Sequence, residues 1–492
     1  MKKTLPLLAF LMLPSQTYAD YRDDIAYTQL QAEVGTLVPN ASNIRVTQVE
    51  AAIGDDEIGY AWMPDVNSLS FSGKNIIDKT GGSNGFSGHS NGVANTFFGN
   101  TSSIASGIEN IDVYSAKDWL LDGFLKPGQP ENPITSSSRV ANHSWVGAMT
   151  ETDGDVFVLK RLDWVVEKNE FIQVTAMNNG SVNKPLLGNA YNSISVGRTD
   201  GNHAQGTLTL DTEYNLGRVR PDIVAPASST SNATPMVSAA VAILLDQANN
   251  AAQGATTVIE NGDVIYNGER SEVVKAIVMA GADRNTSNTA TIAQIVDYRE
   301  DVLTQTDNGL DSRFGAGQLN VYNNYQIMEA GEQDSQQDGG SVLIDQFGYD
   351  YDESFGNDQR VANYQFDSIE EEGLQLTASL VWNINIAADF ENNVWADAIL
   401  YDLNLSLFDV TDGVGNELLV SSSNSSIDNT ENLWYFLEQD RDYQIQVTAE
   451  GDDFNWDYGL AWRIAPVPVP ATIWMFITGL VTLFGLRKKL VL

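Results

Sequence analysis

The chain carries three histidines, His89, His143 and His203, and no cysteine. Thiol catalysis, disulfides and cysteine-ligated metal sites are therefore excluded. No H-E-x-x-H pair exists to hold a catalytic zinc. One route that stays open to covalent chemistry is a hydroxyl nucleophile activated by an imidazole. Residues 85–100, GFSGHSNGVANTFFGN, contain both groups. Read as G-x-S-x-G, Gly88 to Gly92 makes Ser90 a nucleophile on a sharp strand-to-helix turn. Read from the neighbouring residue, His89 is the base and its serine lies elsewhere. The first reading needs an apolar strand running into Gly88, but the preceding residues DKTGGSNGFS are polar and glycine-rich. It also needs a downstream histidine. His143 falls within an expected strand and His203 within the turn-like TDGNHAQG. The second reading fits better.

Other groups stand at places where chemistry is easily positioned. Ser231 precedes a stretch, residues 233–248, that is apolar nearly all round and reads as a buried helix. Free N–H groups and the dipole at a helix start favour negative charge, so the Ser231 N–H can donate to an oxyanion. Pro235 is tolerated in a first helical turn. Asn178 follows the strand FIQVTA (171–176), and Glu50 closes the strand IRVTQVEA (44–51), with Asp55 and Asp56 close behind.

These groups need elements to hold them. Strands are expected at 44–51, 139–147, 171–176, 193–197 and 220–226, a strand-then-helix at 107–125, and helices at 155–169 and 233–248. Such alternation argues for a mostly parallel sheet covered on both faces. Residues 256–269 read as a surface hairpin turning at Asn261-Gly262. A polar linker, GEQDSQQDGG (331–340), then precedes a change of texture. LQLTASLVW, NLSLFDV, YQIQVTAE and YGLAWRI are strand-like, and 341–465 reads as an all-β sandwich.

Taken together these motifs resemble those of the subtilase family of serine peptidases. RPDIVAPASSTSNATPM (220–236) is similar to the family's serine box, Gly-Thr-Ser-x-Ala-x-Pro after Pro-Asp-Val-x-Ala-Pro, with Ser231 in the nucleophile's place. His89 with Val93, Ala94 and Thr96 resembles the histidine box. Asn178 matches the family's oxyanion asparagine, and NHSWVG (142–147) resembles its substrate-binding strand. The resemblance implies a subtilisin-like three-layer α/β fold over residues 20–330, ahead of the sandwich. It implies a serine endopeptidase acting on protein or peptide substrates. Ser231 would attack, His89 carry the proton and Glu50 orient His89 and stabilise its imidazolium, with Asp55 or Asp56 as the alternative acid. Asn178 and the Ser231 N–H would hold the oxyanion. Ser144, Trp145, Val146 and Gly147 would line the pocket and pair with an extended peptide. The chemistry needs no metal or cofactor; the family's frequent structural Ca²⁺ is the one ion the resemblance suggests. Three residues depart from the family pattern: Glu50 for Asp, Ser229 for Gly before Thr-Ser, and Met177 for Gly before Asn178. They give weight to an alternative, a catalytically inactive cell-surface binding protein on the same scaffold.

The formal charge of −38 argues against sequence-independent binding to nucleic acid. Residues 1–19 read as a secretory signal, with Lys2-Lys3, an apolar run and a small-residue cleavage site. The 30 residues from there to Glu50 are too few for an independently folded pro-domain. Residues 466–492 place Pro468 and Pro470 before a short apolar run ending in Arg487-Lys488-Lys489. This resembles a PEP-CTERM sorting signal, with Val469 in the place of Glu. It implies export in a Gram-negative bacterium to the periplasm, cell surface or medium. It also implies C-terminal membrane anchoring, transient or permanent, and processing by an exosortase-like enzyme.

Overall fold

The computed structural model describes residues 20–251, 256–259, 262–286, 288, 303–389, 394–413 and 415–466. The expected leader, all but the first residue of the expected sorting segment, and Asn261 of the hairpin turn lie outside the described residues. No helix among the described residues is long and apolar enough to cross a membrane.

Seven parallel strands make the central sheet of the first domain. In chain order they are β1 (Val46–Glu50), β4 (Asn75–Asp78), β5 (Asn110–Ser115), β6 (Val140–His143), β7 (Ile172–Ala176), β8 (Ile194–Arg198) and β9 (Ile223–Ala225). A short hairpin, β2 (Ile53–Asp55) and β3 (Gly59–Ala61), stands between the first two. The spatial order is β4-β5-β1-β6-β7-β8-β9. Every residue of β1 is buried. Alternate side chains of a strand point to opposite faces, so Val46 enters one core and Val49 the other. Helices Gly88–Phe98 and Thr230–Ala251 fill the first face. Helix Thr152–Asn169 fills the second with Val158, Leu159 and Leu162. This is the three-layer arrangement that strands buried on both faces require.

The apolar helix starts earlier than its hydrophobic pattern suggests, at Thr230 rather than Ala233. Pro235 therefore lies inside it, not in the first turn. A proline there lacks the N–H that would pair with the carbonyl four residues back. That carbonyl belongs to Ser231, and it accepts a hydrogen bond from Ser144 Oγ at 3.0 Å instead. The proline thus gives the end of β6 a backbone group to grip.

Two four-stranded antiparallel sheets form the second domain around a core of their own. One sheet is ordered Phe347–Phe355, Trp456–Pro466, Leu374–Val381, Thr430–Phe436. The other is ordered Val361–Gln365, Tyr443–Ala449, Leu403–Asp409, Leu418–Ser423. The first sheet lies on helix Ser271–Ala280 so closely that a Cβ on Gly459 would fall 2.6 Å from the Val273 nitrogen. Thr377 Oγ1 donates to Ala280 O at 2.7 Å across this seam. Tyr349, Tyr351, Val381, Trp434 and Ala461 of the sandwich join the first domain's core. The polar segment 331–340 is folded onto the sandwich: Gln333 N donates to Tyr349 O at 2.8 Å, and Ser335 is buried.

Candidate active site

The carboxyl ends of three neighbouring strands and the N-termini of two helices meet at one edge of the sheet. β1 and β6 pair in the register Val49↔His143, so Glu50 and Ser144 leave the sheet side by side. β6 and β7 pair in the register His143↔Thr175, which brings Asn178 out next to them. Above them, helix Gly88–Phe98 presents His89 in its first turn and helix Thr230–Ala251 presents Ser231 in its own.

His89 Nδ1 lies 2.8 Å from Glu50 Oε2. Glu50 is fully buried, whereas 42% of the His89 side chain is exposed. The other carboxylate oxygen, Glu50 Oε1, accepts from Gln48 Nε2 at 3.0 Å. The same Gln48 amide reaches Ser90 O and Ser90 Oγ, each at 3.0 Å. Burial pushes the Glu50 carboxyl up, and the hydrogen bonds from His89 and Gln48 pull against it. The adjacent Glu50 carboxylate raises His89 above the ordinary histidine value, against partial burial. Asp55 and Asp56 are exposed on the β2–β3 hairpin and bond within it, to Glu57 N and Tyr60 Oη.

The other two histidines are held neutral. His143 is buried in β6, with Nε2 at 2.8 Å from Gln173 Oε1, and burial lowers it to about 4. His203 accepts at Nδ1 from Arg198 N at 3.0 Å, and its Nε2 lies 2.7 Å from Arg313 O. Burial brings it also to about 4. Ser90 is fully buried under the site, pinned by Gln48, on a helix capped by Ser87. Residues 79–87 separate this helix from β4, so no strand runs into it. A nucleophile elbow is not formed.

Ser231 Oγ donates to Ser144 O at 3.0 Å, and Ser144 Oγ returns the bond to Ser231 O. Among the described residues no hydrogen bond joins Ser231 to His89, and the Ser231 N–H has no partner. The neighbouring Thr230 N donates to Asn179 Oδ1 at 3.0 Å, and Asn232 N to Ser229 O at 3.1 Å. A free donor at a helix start, beside a hydroxyl, is suited to receive negative charge. The Asn178 amide donates to Val182 O at 2.6 Å, within its own loop, which leaves its second N–H available. Of the expected pocket residues, Ser144 touches Ser231 directly. Trp145 is buried against the second core. Gly147 exchanges both backbone hydrogen bonds with Leu186, at 3.3 and 3.1 Å, so this residue has no edge left for a peptide.

Sequence reasoning missed Gln48, Asn179 and Asn142. Asn142 accepts from Ser238 Oγ at 3.0 Å and donates to Ser144 Oγ at 2.9 Å, tying β6 to the serine helix. The signal for Gln48 was present: it is a polar residue two positions before Glu50, on the same face of the strand. One grouping of carboxylates lies apart from this edge. Oxygens of Glu332, Asp334 and Asp350 lie within 4.8 Å of one another. Asp350 already accepts from Tyr364 Oη at 2.5 Å. Burial pushes its carboxyl well above the ordinary carboxylate range.

The sequence profile of the Subtilase family matches residues 62–317. The match begins after Glu50 and spans His89, Asn178 and Ser231. No match is found among curated proteins. Two similar solved structures are both named as proteases. One is a serine-to-alanine mutant of the protease domain of PatA, 17% identical, covering 60% of this chain and 98% of that one, with a TM-score of 0.37. The other is the prenylagaramide maturation protease PagA, 16% identical, covering 60% and 96%, with a TM-score of 0.38.

Proposed function

We propose that this chain, which belongs to the subtilase family, is an active serine endopeptidase with a Glu50–His89–Ser231 triad. The observation that carries this reading is the 2.8 Å contact between the exposed His89 imidazole and the buried Glu50 carboxylate. A longer carboxylate in the acid's place still meets the ring at hydrogen-bond distance. Glu50 accepts a hydrogen bond from Nδ1–H and so leaves Nε2 as the basic nitrogen. His89 then takes the Ser231 proton as the hydroxyl attacks a peptide carbonyl. The tetrahedral oxyanion is received by the unpartnered Ser231 N–H and the spare N–H of Asn178. His89 returns the proton to the leaving amine, and water repeats the sequence on the acyl-enzyme. In the resting site Ser231 Oγ is turned to Ser144 O. Catalytic hydrogen bonds commonly tighten only when substrate is bound. Export through residues 1–19, and sorting and anchoring through 466–492, belong to the same reading.

The test is active-site labelling. The mature protein is treated with a fluorophosphonate and the modified peptide mapped by mass spectrometry. Modification at Ser231 is the expected result. Modification at Ser90, or none in a folded sample, would overturn the peptidase reading; the second outcome would favour a binding protein on this scaffold.

A further inference from the structure

A cavity of about 280 Å³ lies where a hairpin and a loop of the sandwich domain meet the first domain. Tyr191 and Arg218 line it from the first domain. Ile384 and Leu400 line it from the two ends of the hairpin Asn385–Asp389/Val394–Ile399. The walls are tied together: Asn192 Oδ1 accepts from Ile384 N at 2.8 Å, and Asn192 Nδ2 donates to Ile384 O at 3.3 Å. Two further lining residues are open to solvent, Leu216 at 60% and Ile427 at 43% exposure. They give the cavity an apolar mouth.

The polar group inside is Arg218. It is 2% exposed, and its Nη2 donates to Asn189 O at 2.5 Å. Its Nε and Nη1 have no hydrogen-bond partner among the described residues. One face of the guanidinium is covered by Tyr191, with Cζ 3.7 Å from the ring centroid. The carboxylates around it are engaged with other donors. Asp163 accepts from Tyr191 N, Asn192 N and Tyr214 Oη. Asp428 accepts from Val219 N and Ser425 Oγ. Glu213, in the cavity lining, lies 3.8 Å from Lys160 Nζ. The nearby Arg220, by contrast, has its ion pair, with Asp222 at 3.2 Å. A buried cation with spare donors is unfavourable, and a carboxylate is the group a guanidinium receives best. Apolar walls around one such charged group are what a small-ligand site requires.

We propose that this cavity binds a carboxylate carried on a short aliphatic chain. The carboxylate accepts from the Arg218 guanidinium, the chain lies on Ile384 and Leu400, and it leaves between Leu216 and Ile427. None of these residues belongs to the triad, so the proposal stands whether or not the peptidase reading holds. The same chemistry ends a free aliphatic acid and a peptide whose last residue is apolar.

The test is titration calorimetry on the full chain, with four probes. Hexanoate is compared with hexanamide, and N-acetyl-leucine with N-acetyl-leucinamide. At least one acid should bind about tenfold or more tightly than its own amide, the gain of a charge-assisted hydrogen bond. The tighter of the two acids tells a free acid from a peptide end. Arg218→Met should erase the difference between acid and amide. Leu216→Asp, at the exposed mouth, should weaken acid binding about fivefold by like-charge repulsion. Thermal melting reports whether each variant is folded. No binding, or equal binding of each acid and its amide, overturns the proposal and leaves the spare donors to water. So does acid binding unchanged in a folded Arg218→Met, or unchanged in Leu216→Asp where Arg218→Met does not fold.

Discussion

Two of the places where this chain buries carboxylates answer burial differently. At the sheet edge Glu50 has a donor for each oxygen, Gln48 at 3.0 Å and His89 at 2.8 Å. At the seam between the domains, Glu170, Glu272 and Asp457 crowd around one guanidinium, that of Arg270, which bonds Glu170 at 2.9 Å, and Glu167 beside them pairs with Lys168 at 2.6 Å. Glu272 receives only neutral donors, Ser271 Oγ at 2.7 Å and Asn383 Nδ2 at 3.0 Å. Burial, then the charges of Glu170 and Asp457, push it well above the ordinary range. Burial lifts Glu167 to about 7. Burial is common to both places. What differs is what answers burial. At the edge an imidazole and an amide meet the Glu50 carboxylate and favour its charge, whereas at the seam the like charges of Glu170 and Asp457 add to burial and favour the Glu272 proton.

The sharpest way to break this contrast is to remove the working charge. Glu50→Gln keeps the shape and puts an amide against His89 Nδ1, which selects the wrong imidazole tautomer. We expect kcat on a peptide substrate to fall about 10³–10⁴-fold, by analogy with the corresponding change in another serine protease. The melting temperature should not fall, since a buried charge disappears. Near-normal turnover would shift the acid's role to Asp55 or Asp56, and the double variant Asp55→Asn/Asp56→Asn would then lose activity.

A smaller effect sharpens the same point. Glu50 favours the protonated imidazole and raises His89, while the base must be neutral to act. Activity is therefore lost as pH falls through the raised value. The acid limb of kcat/KM should lie above the ordinary histidine value of about 6.5. In Glu50→Gln, measured on its residual activity, the limb should move down in pH. Identical limbs in the two proteins would mean that Glu50 does not govern His89.

Much of the edge was legible in the sequence because its groups stand at the ends of periodic elements. Glu50 and Asn178 follow strands, and Ser231 precedes an apolar run. His89 was separable from its neighbour Ser90 because the residues before Gly88 form no strand. The sandwich was equally legible from alternation: Tyr443–Ala449 alternates buried and half-buried residues throughout. What was not legible depends on register between distant segments. Gln48 matters only because β1 brings it under Ser90, 42 residues on. The place of Pro235 in its helix depends on Asn179 capping Thr230, 51 residues away. The seam was hidden for the same reason. Trp456–Pro466 is buried on most of its length because its second face lies on helix Ser271–Ala280, and no local pattern announces that contact.

The smallest expected effect tests the seam, and its sign follows from proton counting. Glu272 and Glu167 have folded-state values raised above the unfolded 4.5. Between 4.5 and the raised values the folded chain binds more protons than the unfolded chain. Their contribution to stability is then fully present below about pH 4.5 and is lost as pH rises through about 7, where Glu167 titrates. Glu272→Gln replaces the proton-bearing carboxyl by an amide of the same shape, which needs no proton at any pH. We expect its melting temperature to match wild type near pH 4.5 and to exceed it by a few degrees near pH 8. The overall charge of −38 also destabilises the chain as pH rises, but that background is shared by both proteins and cancels in their difference. A gap between the two melting curves that stays constant from pH 4.5 to 8 would show that the seam carboxylates hold no extra protons. The distinction between the two buried carboxylate sites would then fail on the seam side, whatever Glu50→Gln shows at the edge.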